Sequence, residues 1–368
     1  MQQKKIKIII SGGGTGGHIF PAIAIANALK NKVQDIQILF VGAKGRMEME
    51  KVPANGYPIV GLWISGFQRR LTIDNLMFPF KVLVSLYRSR KIIKEFQPDV
   101  VVGFGGYASG PMLQAAAKMG ISTAIWEGNS FAGVTNKILA KSTTKIFVAF
   151  DGMERFFPKE KIVQAGNPIR QEVTELEGKR AEALRFFGLN ENKKILLVIG
   201  GSLGALTINE SIQKNLELFK QNSLQVIWQT GKNYYETAKE VVKPFENYGI
   251  KAFDFISHMD FAYAVADLVI SRAGAIAISE LCSVSKPVIL IPSPNVAEDH
   301  QTKNAMTLVN NHAAVLVRDS EARQKLGPIL IDLLNNIPEQ QLLQENIKKL
   351  AFKDSANNIA DEILKLIK

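Results

Sequence analysis

The chain contains the same distinctive opening twice, about 190 residues apart. Residues 4–10 form a run of isoleucines and lysines that leads into the glycine-rich segment 11–18, and residues 193–199 lead in the same way into 200–204. A short run rich in β-branched residues predicts a buried strand, and glycines at its end let backbone N–H groups approach an anion at the start of a helix. The chain is therefore expected to open two nucleotide-binding-type domains.

Apolar strand-like runs alternate with helical stretches through both halves of the chain. This alternation predicts an α/β protein, because parallel strands need helices to connect and cover them. A turn signal, Ala-Gly-Asn-Pro at residues 165–168, falls between the two series and predicts a linker there. We therefore expect two Rossmann-like, doubly wound parallel-sheet domains, residues 1–167 and residues 168–346.

Composition restricts the possible partners. The 368 residues are 46% hydrophobic and 21% charged, which is typical of a globular protein, and they carry a net charge of +11. Such an excess of positive charge favours a phosphate-bearing substrate, an anionic membrane surface or nucleic acid. Nucleic acid is disfavoured, because the chain has no RNP-type aromatic motif, no zinc-spaced Cys/His set and no long block of basic residues.

The cysteine count and the apolar runs indicate the compartment. Cys282 is the only cysteine, so no disulfide framework or cysteine metal cluster is expected, which fits a reducing cytoplasm. No apolar run approaches the ~18 residues of a membrane span, and the run at residues 6–10 is too short for a signal-peptide core. We therefore expect a cytoplasmic protein whose membrane contact is peripheral.

The first glycine loop formally satisfies the dinucleotide fingerprint Gly-x-Gly-x-x-Gly through Gly12, Gly14 and Gly17. An NAD site also requires an acidic residue at the end of the second strand, and Lys44 stands near that place instead. An NADP-dependent reductase remains an alternative, since a lysine could bind the 2′-phosphate. His18 closes the loop where a helix N-terminus is expected, so it could act as a general base or bind a phosphate.

Further ligand-type residues follow other predicted strands. The glycine-rich segment 103–111 follows one strand, its Ser109 is expected to cap the next helix, and two such loops on neighbouring strands favour a diphosphate site. In the second half, a helix after residues 268–271 carries Glu280, which could bind a ribose diol or be a solvated carboxylate. Polar residues 299–304 enter another helix at a strand end, where doubly wound sheets bind ligands.

Two motifs are missing. The chain has no Gly-x-x-x-x-Gly-Lys-Ser/Thr phosphate loop and no Asp-x-Asp pair to hold a metal–diphosphate complex. Kinases and metal-dependent sugar transferases are therefore disfavoured, and no metal ligand and no cofactor is assigned.

Six segments of the chain occur together, in order, in one enzyme family. They are residues 11–18, 103–111, 166–170, 200–205, 271–280 and 299–305. The ordered set spans nearly the whole chain and is far more specific than any one segment. On these residues the chain resembles the MurG family, the N-acetylglucosaminyltransferases that convert lipid I to lipid II in bacterial peptidoglycan synthesis.

The resemblance implies a GT-B fold, in which two Rossmann-like domains face a cleft. The C-terminal domain would hold UDP-GlcNAc, and the N-terminal domain would hold lipid I, undecaprenyl-diphospho-MurNAc-pentapeptide. The final helix, about residues 347–368, would pack back on the N-terminal domain. The donor-binding residues carried over by motif position are Thr15, Gly16, Gly17, Asn129, Arg170, Ser202, Ile256, Ala275, Ile276, Ala277, Ile278, Ser279, Glu280 and Gln301.

The resemblance also assigns roles within that set. Arg170 and Ser202 would hold the donor diphosphate, the backbone of Ile256 would read uracil, Glu280 would bind ribose and Gln301 would orient the GlcNAc hydroxyls.

The first domain has its own assignments. Asn129 would contact GlcNAc, although this chain has Glu-Gly-Asn at residues 127–129 where the family usually has Glu-Gln-Asn. The acceptor is assigned to the second glycine loop, through Gly105, Gly106, Tyr107 and Ser109.

The implied reaction is an inverting, metal-independent transfer of GlcNAc to the 4-hydroxyl of the MurNAc of lipid I, with His18 as base or phosphate ligand. Another GT-B enzyme, such as a glycolipid glycosyltransferase or a UDP-GlcNAc 2-epimerase, remains an alternative. The family implies a role in cell-wall synthesis, and with it in cell shape and division, at the cytoplasmic face of the inner membrane.

One segment fits peripheral attachment to that membrane. Residues 76–87 form an apolar stretch, and a core helix is the alternative interpretation. The basic residues that flank it, which would contact anionic lipid, are Arg69, Arg70, Arg88, Arg90 and Lys91.

Overall fold

The computed structural model describes residues 5–66, 77–169, 171–201 and 203–367, and divides into two compact units. The first unit comprises Met1–Ile169 together with Lys353–Lys368, and the second comprises Arg170–Phe352. The predicted linker at residues 165–168 lies directly before this change of unit.

The sheet of the first unit has seven parallel strands in the order β3-β2-β1-β4-β5-β6-β7. The chain crosses from one half of the sheet to the other between β3 and β4, which is the doubly wound topology. The strands are β1 (Lys7–Ser11), β2 (Gln37–Ala43), β3 (Ile59–Leu62), β4 (Val100–Gly103), β5 (Ser122–Glu127), β6 (Lys145–Val148) and β7 (Ile162–Gln164). The helices before the linker are α1 (Gly16–Lys32), α2 (Glu48–Ala54), α3 (Phe78–Phe96), α4 (Ser109–Lys118) and α5 (Val134–Leu139), with 3₁₀ turns at Met153–Arg155 and Lys159–Lys161.

The second unit repeats this plan with six parallel strands in the order β10-β9-β8-β11-β12-β13. The strands are β8 (Ile195–Ile199), β9 (Gln225–Gln229), β10 (Ile250–Phe253), β11 (Leu268–Ser271), β12 (Val288–Leu290) and β13 (Val315–Leu316). The helices are α6 (Gln171–Thr174), α7 (Arg180–Phe187), α8 (Leu206–Lys214), α9 (Leu216–Gln221), α10 (Tyr235–Val242), α11 (Met259–Val265), α12 (Ala275–Val284), α13 (His300–Val309), α14 (Asp319–Asn335) and α15 (Ile337–Lys349), with 3₁₀ turns at Lys243–Tyr248 and Ala297–Asp299.

The burial of the central strands in both sheets explains the two series of apolar runs in the sequence. Ile8, Ile9 and Ile10 in β1 are completely buried, and so are residues 195–198 of β8. Helices cover both faces of an open parallel sheet, so side chains on both sides of each central strand must be apolar. The prediction of two Rossmann-like parallel-sheet domains is confirmed.

The C-terminal segment returns to the first unit. Helix α15 stays with the second unit, where Asn346 donates a hydrogen bond to the carbonyl of His312 at 3.1 Å. The chain then enters the first unit at Lys353, and helix α16 (Ser355–Leu364) packs against α1 and buries Ile359, Ala360 and Ile363. The returning segment therefore begins at residue 353 rather than at about 347, because residues 337–349 form one helix whose Ile347 is buried in the second unit.

Ion pairs add to the docking of α16. Lys32 in α1 pairs with Asp361 at 2.8 Å, and Lys145 at the start of β6 pairs with Glu362. The hydrogen bond from Lys145 holds the pKa of Glu362 below its ordinary value, with a further contribution from Lys365.

Replacing Glu362 by Gln is expected to lower the free energy of unfolding at pH 7 by less than about 1 kcal/mol, because the pair is partly exposed. A carboxylate whose folded-state pKa is depressed stabilises the fold above its unfolded pKa, and that stabilisation is lost as the pH falls through the folded value. The difference between variant and wild type should therefore shrink below pH 4.5. Urea unfolding at pH 7 and at lower pH measures this, and a difference that grows on acidification would contradict the ion-pair explanation.

Helix α3 has polar residues on part of its buried side and apolar residues on part of its exposed side. Lys81, Ser85 and Ser89 are buried, and Lys81 donates a hydrogen bond to Ser65. The exposed apolar residues recur at helical spacing and are Phe80 (54% exposed), Leu83 (65%) and Tyr87 (73%). The same helix also packs on the core of the first unit through Phe78, Val82, Ile92 and Ile93, so it combines a core-facing side with an exposed apolar stripe. Residues 67–76, with Arg69 and Arg70, lie outside the described residues.

Among the described residues, no helix combines the length and the apolar character needed to span a membrane.

Candidate functional site

The first glycine loop follows β1, and a buried carboxylate accepts a hydrogen bond from its backbone. Gly13 and Gly14 have φ values of +148° and +87°, which only glycine adopts easily. Glu48, in the first turn of α2, is 1% exposed and accepts hydrogen bonds from Gly14 N (2.8 Å) and Ala43 N (2.9 Å). A Cβ atom on Gly13 would lie 2.2 Å from this carboxyl group, so glycine is required for the contact.

Sequence reasoning missed Glu48. A glutamate in the first turn of a short helix usually reads as a solvated residue that favours the helix dipole. The only signal was its place at the start of the helix that follows β2, the strand next to β1 and its glycine loop. The neighbouring Met47 is 47% exposed, whereas hydropathy predicts a buried methionine beside an exposed glutamate.

His18 lies in the first turn of α1, as expected, and its ring faces the second glycine loop. Its Nδ1 atom is 2.9 Å from the carbonyl oxygen of Gly13. A carbonyl can only accept, so Nδ1 carries the proton and the neutral ring has its lone pair on Nε2. Nε2 would lie 2.9 Å from a Cβ atom on Gly105. The structure thus brings together His18 and the loop assigned to the acceptor.

The two glycine loops pack backbone against backbone. A Cβ atom on Gly106 would lie 2.5 Å from Gly13 O, so a side chain there would separate the loops. Gly105 is buried, whereas the side chain of Tyr107 is 47% exposed and lies over Gly66. Among the four residues assigned to the acceptor, Tyr107 presents the most exposed side chain.

Ser109 does not have its expected place. It is the first residue of α4, and Ala108 occupies the N-cap position instead. Its hydroxyl is completely buried and lies 2.7 Å from both Ser11 O and Gly105 O. Ser109 therefore ties the two glycine loops together and has no exposed group to offer an acceptor.

The loop after β5 is organised by Glu127, a second buried carboxylate. Its oxygens accept hydrogen bonds from Asn129 N (3.1 Å), Asn129 Nδ2 (3.3 Å), Gly133 N (2.9 Å) and Asn136 Nδ2 (2.9 Å). Asn129 is half-buried beside it.

Glycine at position 128, where the resemblance leads us to expect glutamine, has a steric explanation. A Cβ atom at this position would lie 2.4 Å from the ring of Trp126, which fills the space that a glutamine side chain would enter. Trp126 is 3% exposed and packs on Phe104, with ring centroids 5.6 Å apart.

In the second unit, the glycine loop after β8 packs on the loop after β9. A Cβ atom on Gly204 would lie 2.2 Å from Thr230 O, and one on Gly231 would lie 2.1 Å from Gly204 N. Asn209 in α8 fixes this contact, because it donates to Thr230 O at 2.9 Å and accepts from Trp228 Nε1 at 3.0 Å. Arg170 and Ser202, assigned to the donor diphosphate, lie outside the described residues.

Helix α12 begins at Ala275, directly after Gly274, so the N–H groups of its first turn belong to the residues assigned to the sugar and phosphate. Ala275, Ile276, Ala277 and Ser279 are half-buried. Ile278 is 1% exposed and belongs to the core, so its side chain is not available to a ligand.

Glu280 is not a solvated helix carboxylate. It is 7% exposed, and Tyr263 Oη lies 3.4 Å from its Oε2 atom. Buried ionisable side chains are costly and are common at ligand sites.

Gln301 and Asn304 in α13 position the loop before α12. The side-chain oxygen of Gln301 accepts from Ser293 N (2.8 Å) and Ala273 N (3.3 Å), and Asn304 Nδ2 donates to Ala273 O (3.3 Å). The group that Gln301 can offer a ligand is therefore its NH₂. Sequence reasoning included Asn304 in the polar segment but gave it no role.

Ile256 follows β10, and its amide N–H donates to Gln229 Oε1 at 3.2 Å. Its side chain is buried, so the carbonyl is the group that it can present to a base. Within the described residues, no three His, Cys, Asp or Glu side chains cluster as metal ligands would.

Comparison with known proteins gives matches along the whole chain. Residues 8–148 match the Glycosyltransferase family 28 N-terminal domain, and residues 195–362 match the Glycosyltransferase family 28 C-terminal domain. The chain is 55% identical over 364 residues to the UDP-N-acetylglucosamine--N-acetylmuramyl-(pentapeptide) pyrophosphoryl-undecaprenol N-acetylglucosamine transferase of Parabacteroides distasonis, which covers 99% of both chains. The protein of the same name from Cytophaga hutchinsonii is 52% identical, over 100% of this chain and 98% of the relative.

A solved structure agrees with these relatives. The crystal structure of Acinetobacter baumannii MurG matches with a TM-score of 0.80 at 29% identity, over 98% of this chain and 99% of that one. Together with the two family 28 domains, this match confirms the GT-B fold class expected from the resemblance. With more than half of its residues identical to such a relative over its whole length, the chain belongs to the MurG family of glycosyltransferases.

Proposed function

We propose that this chain transfers GlcNAc from UDP-GlcNAc to the 4-hydroxyl of the MurNAc of lipid I, which forms lipid II. Relatives at 51–55% identity are named as N-acetylglucosamine transferases acting on UDP-N-acetylglucosamine and N-acetylmuramyl-(pentapeptide) pyrophosphoryl-undecaprenol. The structural observation that carries the proposal is the orientation of His18, whose Nδ1–H is bound to Gly13 and whose Nε2 lone pair faces the second glycine loop.

The chemistry follows from that orientation. His18 Nε2 takes the proton of the attacking hydroxyl, the oxygen attacks the anomeric carbon, and the C–O bond to UDP breaks. A single displacement of this kind inverts the configuration and gives a β-1,4 link. Negative charge then develops on the diphosphate, and N–H groups at the start of α12, with Arg170 and Ser202, are proposed to stabilise it without a metal. One well-placed donor of this type commonly contributes about 3 kcal/mol to transition-state stabilisation.

The donor is proposed to bind mainly to the second unit. Buried Glu280 would accept both hydrogen bonds of the ribose diol, the Ile256 carbonyl would accept the uracil N3–H, and the Gln301 NH₂ would donate to a GlcNAc hydroxyl. On the family resemblance, Thr15, Gly16, Gly17 and Asn129 are also proposed to contact the donor, and Gly105, Gly106 and Tyr107 to contact the acceptor.

The exposed apolar stripe of α3 supports peripheral attachment to a membrane that carries the lipid-linked acceptor. Phe80, Leu83 and Tyr87 would enter the interface, and Trp63, 41% exposed, extends the stripe with its ring edge-on to Phe80 at 6.1 Å. Exposed Arg88 and Arg90 would contact anionic lipid at the cytoplasmic face of the inner membrane.

Reversing the charges of Arg88 and Arg90 together is expected to weaken binding to vesicles rich in anionic lipid, because each basic residue near such a surface contributes ~1 kcal/mol. Turnover of a soluble acceptor should be unchanged. Co-sedimentation at low and high salt measures the binding, and reversal of exposed Lys118 and Lys141 is a control with the same change in net charge. Equal binding of both double variants, or equal binding of the wild type to neutral and anionic vesicles, would contradict the attachment.

The direct test of the function is transfer of radiolabel from UDP-GlcNAc to a lipid I analogue, measured with and without EDTA. We expect transfer under both conditions. Label appearing only in a diacylglycerol acceptor, or epimerised donor without transfer, would instead indicate another GT-B enzyme. UDP should raise the melting temperature and NADPH should not, whereas the reverse would indicate a reductase.

A further inference from the structure

The peptide group between Gly13 and Gly14 is hydrogen-bonded on both edges. Its N–H donates to Glu48 Oε2 at 2.8 Å, and its C=O accepts from His18 Nδ1 at 2.9 Å. A trans peptide is planar and its N–H and C=O point in opposite directions. Glu48 and His18 are therefore connected through a single peptide group.

Glu48 is itself held rigidly. Its second oxygen accepts from Ala43 N at 2.9 Å, and the side chain is 1% exposed. Gly13 and Gly42 leave the space that it fills, because Cβ atoms there would lie 2.2 Å and 2.5 Å from its atoms. A buried carboxylate is costly unless hydrogen bonds satisfy it, and here one oxygen accepts from the glycine loop and the other from the end of β2.

We propose that Glu48 is a positioning residue that acts on His18 through the Gly13–Gly14 peptide, an inference that rests on the proposed role of His18 as base. The carboxylate fixes the plane of this peptide, so the Gly13 carbonyl points at His18 Nδ1. Hydrogen bonds in a chain polarise one another, so a charged acceptor on the N–H makes the C=O a stronger acceptor. The imidazole is thereby held with its proton on Nδ1 and its lone pair on Nε2, as a directly bonded carboxylate does in other enzymes.

The first test is the tautomer of His18, measured by NMR on protein with ¹⁵N-labelled histidine and assigned with a His18→Gln variant. The wild type is expected to carry the proton on Nδ1 in its neutral form. Glu48→Gln keeps the shape of the side chain but has one acceptor oxygen for two N–H groups, so the population with the proton on Nε2 should rise. Glu50→Gln, at an exposed carboxylate of the same helix, should leave the tautomer unchanged.

Kinetics give an independent test. Glu48→Gln is expected to lower kcat by about 10- to 100-fold with the KM for UDP-GlcNAc unchanged, the range typical of residues that orient an active group through a hydrogen bond. In a His18→Ala background the same change should cost nothing further, because its effect passes through His18.

The results separate this inference from the proposed function. Additive losses in the double variant, or a wild-type His18 with its proton on Nε2, would overturn the role of Glu48 even if lipid I is the acceptor. A tautomer that responds to Glu48→Gln in a protein that fails to use lipid I would support the role of Glu48 and refute the proposed acceptor. Even if Glu48→Gln does not fold, a wild-type His18 with its proton on Nε2 would overturn the inference.

Discussion

Replacing His18 by Ala is expected to lower kcat by roughly 10²- to 10⁴-fold, with the affinity for UDP-GlcNAc little changed. The reason is the fixed orientation of the ring, whose Nδ1–H is bound to Gly13 O at 2.9 Å while Nε2 faces Gly105. Without a base in this place, the attacking hydroxyl must lose its proton to water. Steady-state rates at saturating donor and acceptor measure the effect.

A second histidine provides the matched control. His312 is exposed and has a φ of +51°, which asparagine tolerates, so His312→Asn should leave turnover unchanged. If His18→Ala instead weakens acceptor binding and retains turnover at saturation, His18 is a phosphate ligand and the assignment as base is wrong.

Glu280→Ala is expected to raise the KM for UDP-GlcNAc by about 10- to 150-fold, since a buried ribose diol would lose a charged acceptor that contributes ~1.5–3 kcal/mol. The 7% exposure of Glu280 makes the loss large, because little water can replace the carboxylate. Initial rates against donor concentration, together with the rise in melting temperature on adding UDP, measure the effect. The control is Glu321→Ala, at a partly exposed carboxylate that pairs with Lys325 at 3.0 Å.

An unchanged donor KM in Glu280→Ala would remove Glu280 from the ribose site. Its contact with Tyr263 would then be its main role, and a fall in melting temperature without ligand would be the expected sign.

The sheets were predictable because burial of both faces of a central strand requires a continuous run of apolar residues, and such runs are visible in the sequence. A central strand of a doubly wound sheet must be apolar on both faces. Residues 8–10 and 195–199 are apolar without interruption, so the sequence alone identifies them as central strands. The glycine loops were predictable as well, because close contacts between backbones leave no space for a side chain and therefore require glycine. Ordered motifs then located most of the candidate site residues.

Individual side chains within the motifs were less predictable. Ser109 and Ile278 stand in ligand-type segments, yet both are buried, because the helical turn that follows a loop points some residues inward whatever the motif. Glu48 lies outside every motif. It contacts the first glycine loop only because folding brings the start of α2 next to Gly14. Such long-range placement leaves no periodic signal in the sequence.

The return of the chain at Lys353 affects how the protein is built on the ribosome. The second unit is contiguous, so it can finish folding once residue 352 has emerged. The first unit is begun earlier but keeps part of α1 uncovered until Ile359, Ala360 and Ile363 arrive. During elongation, the half that is translated first is therefore the half that is completed last, and premature termination after residue 352 would damage the N-terminal unit while sparing its neighbour.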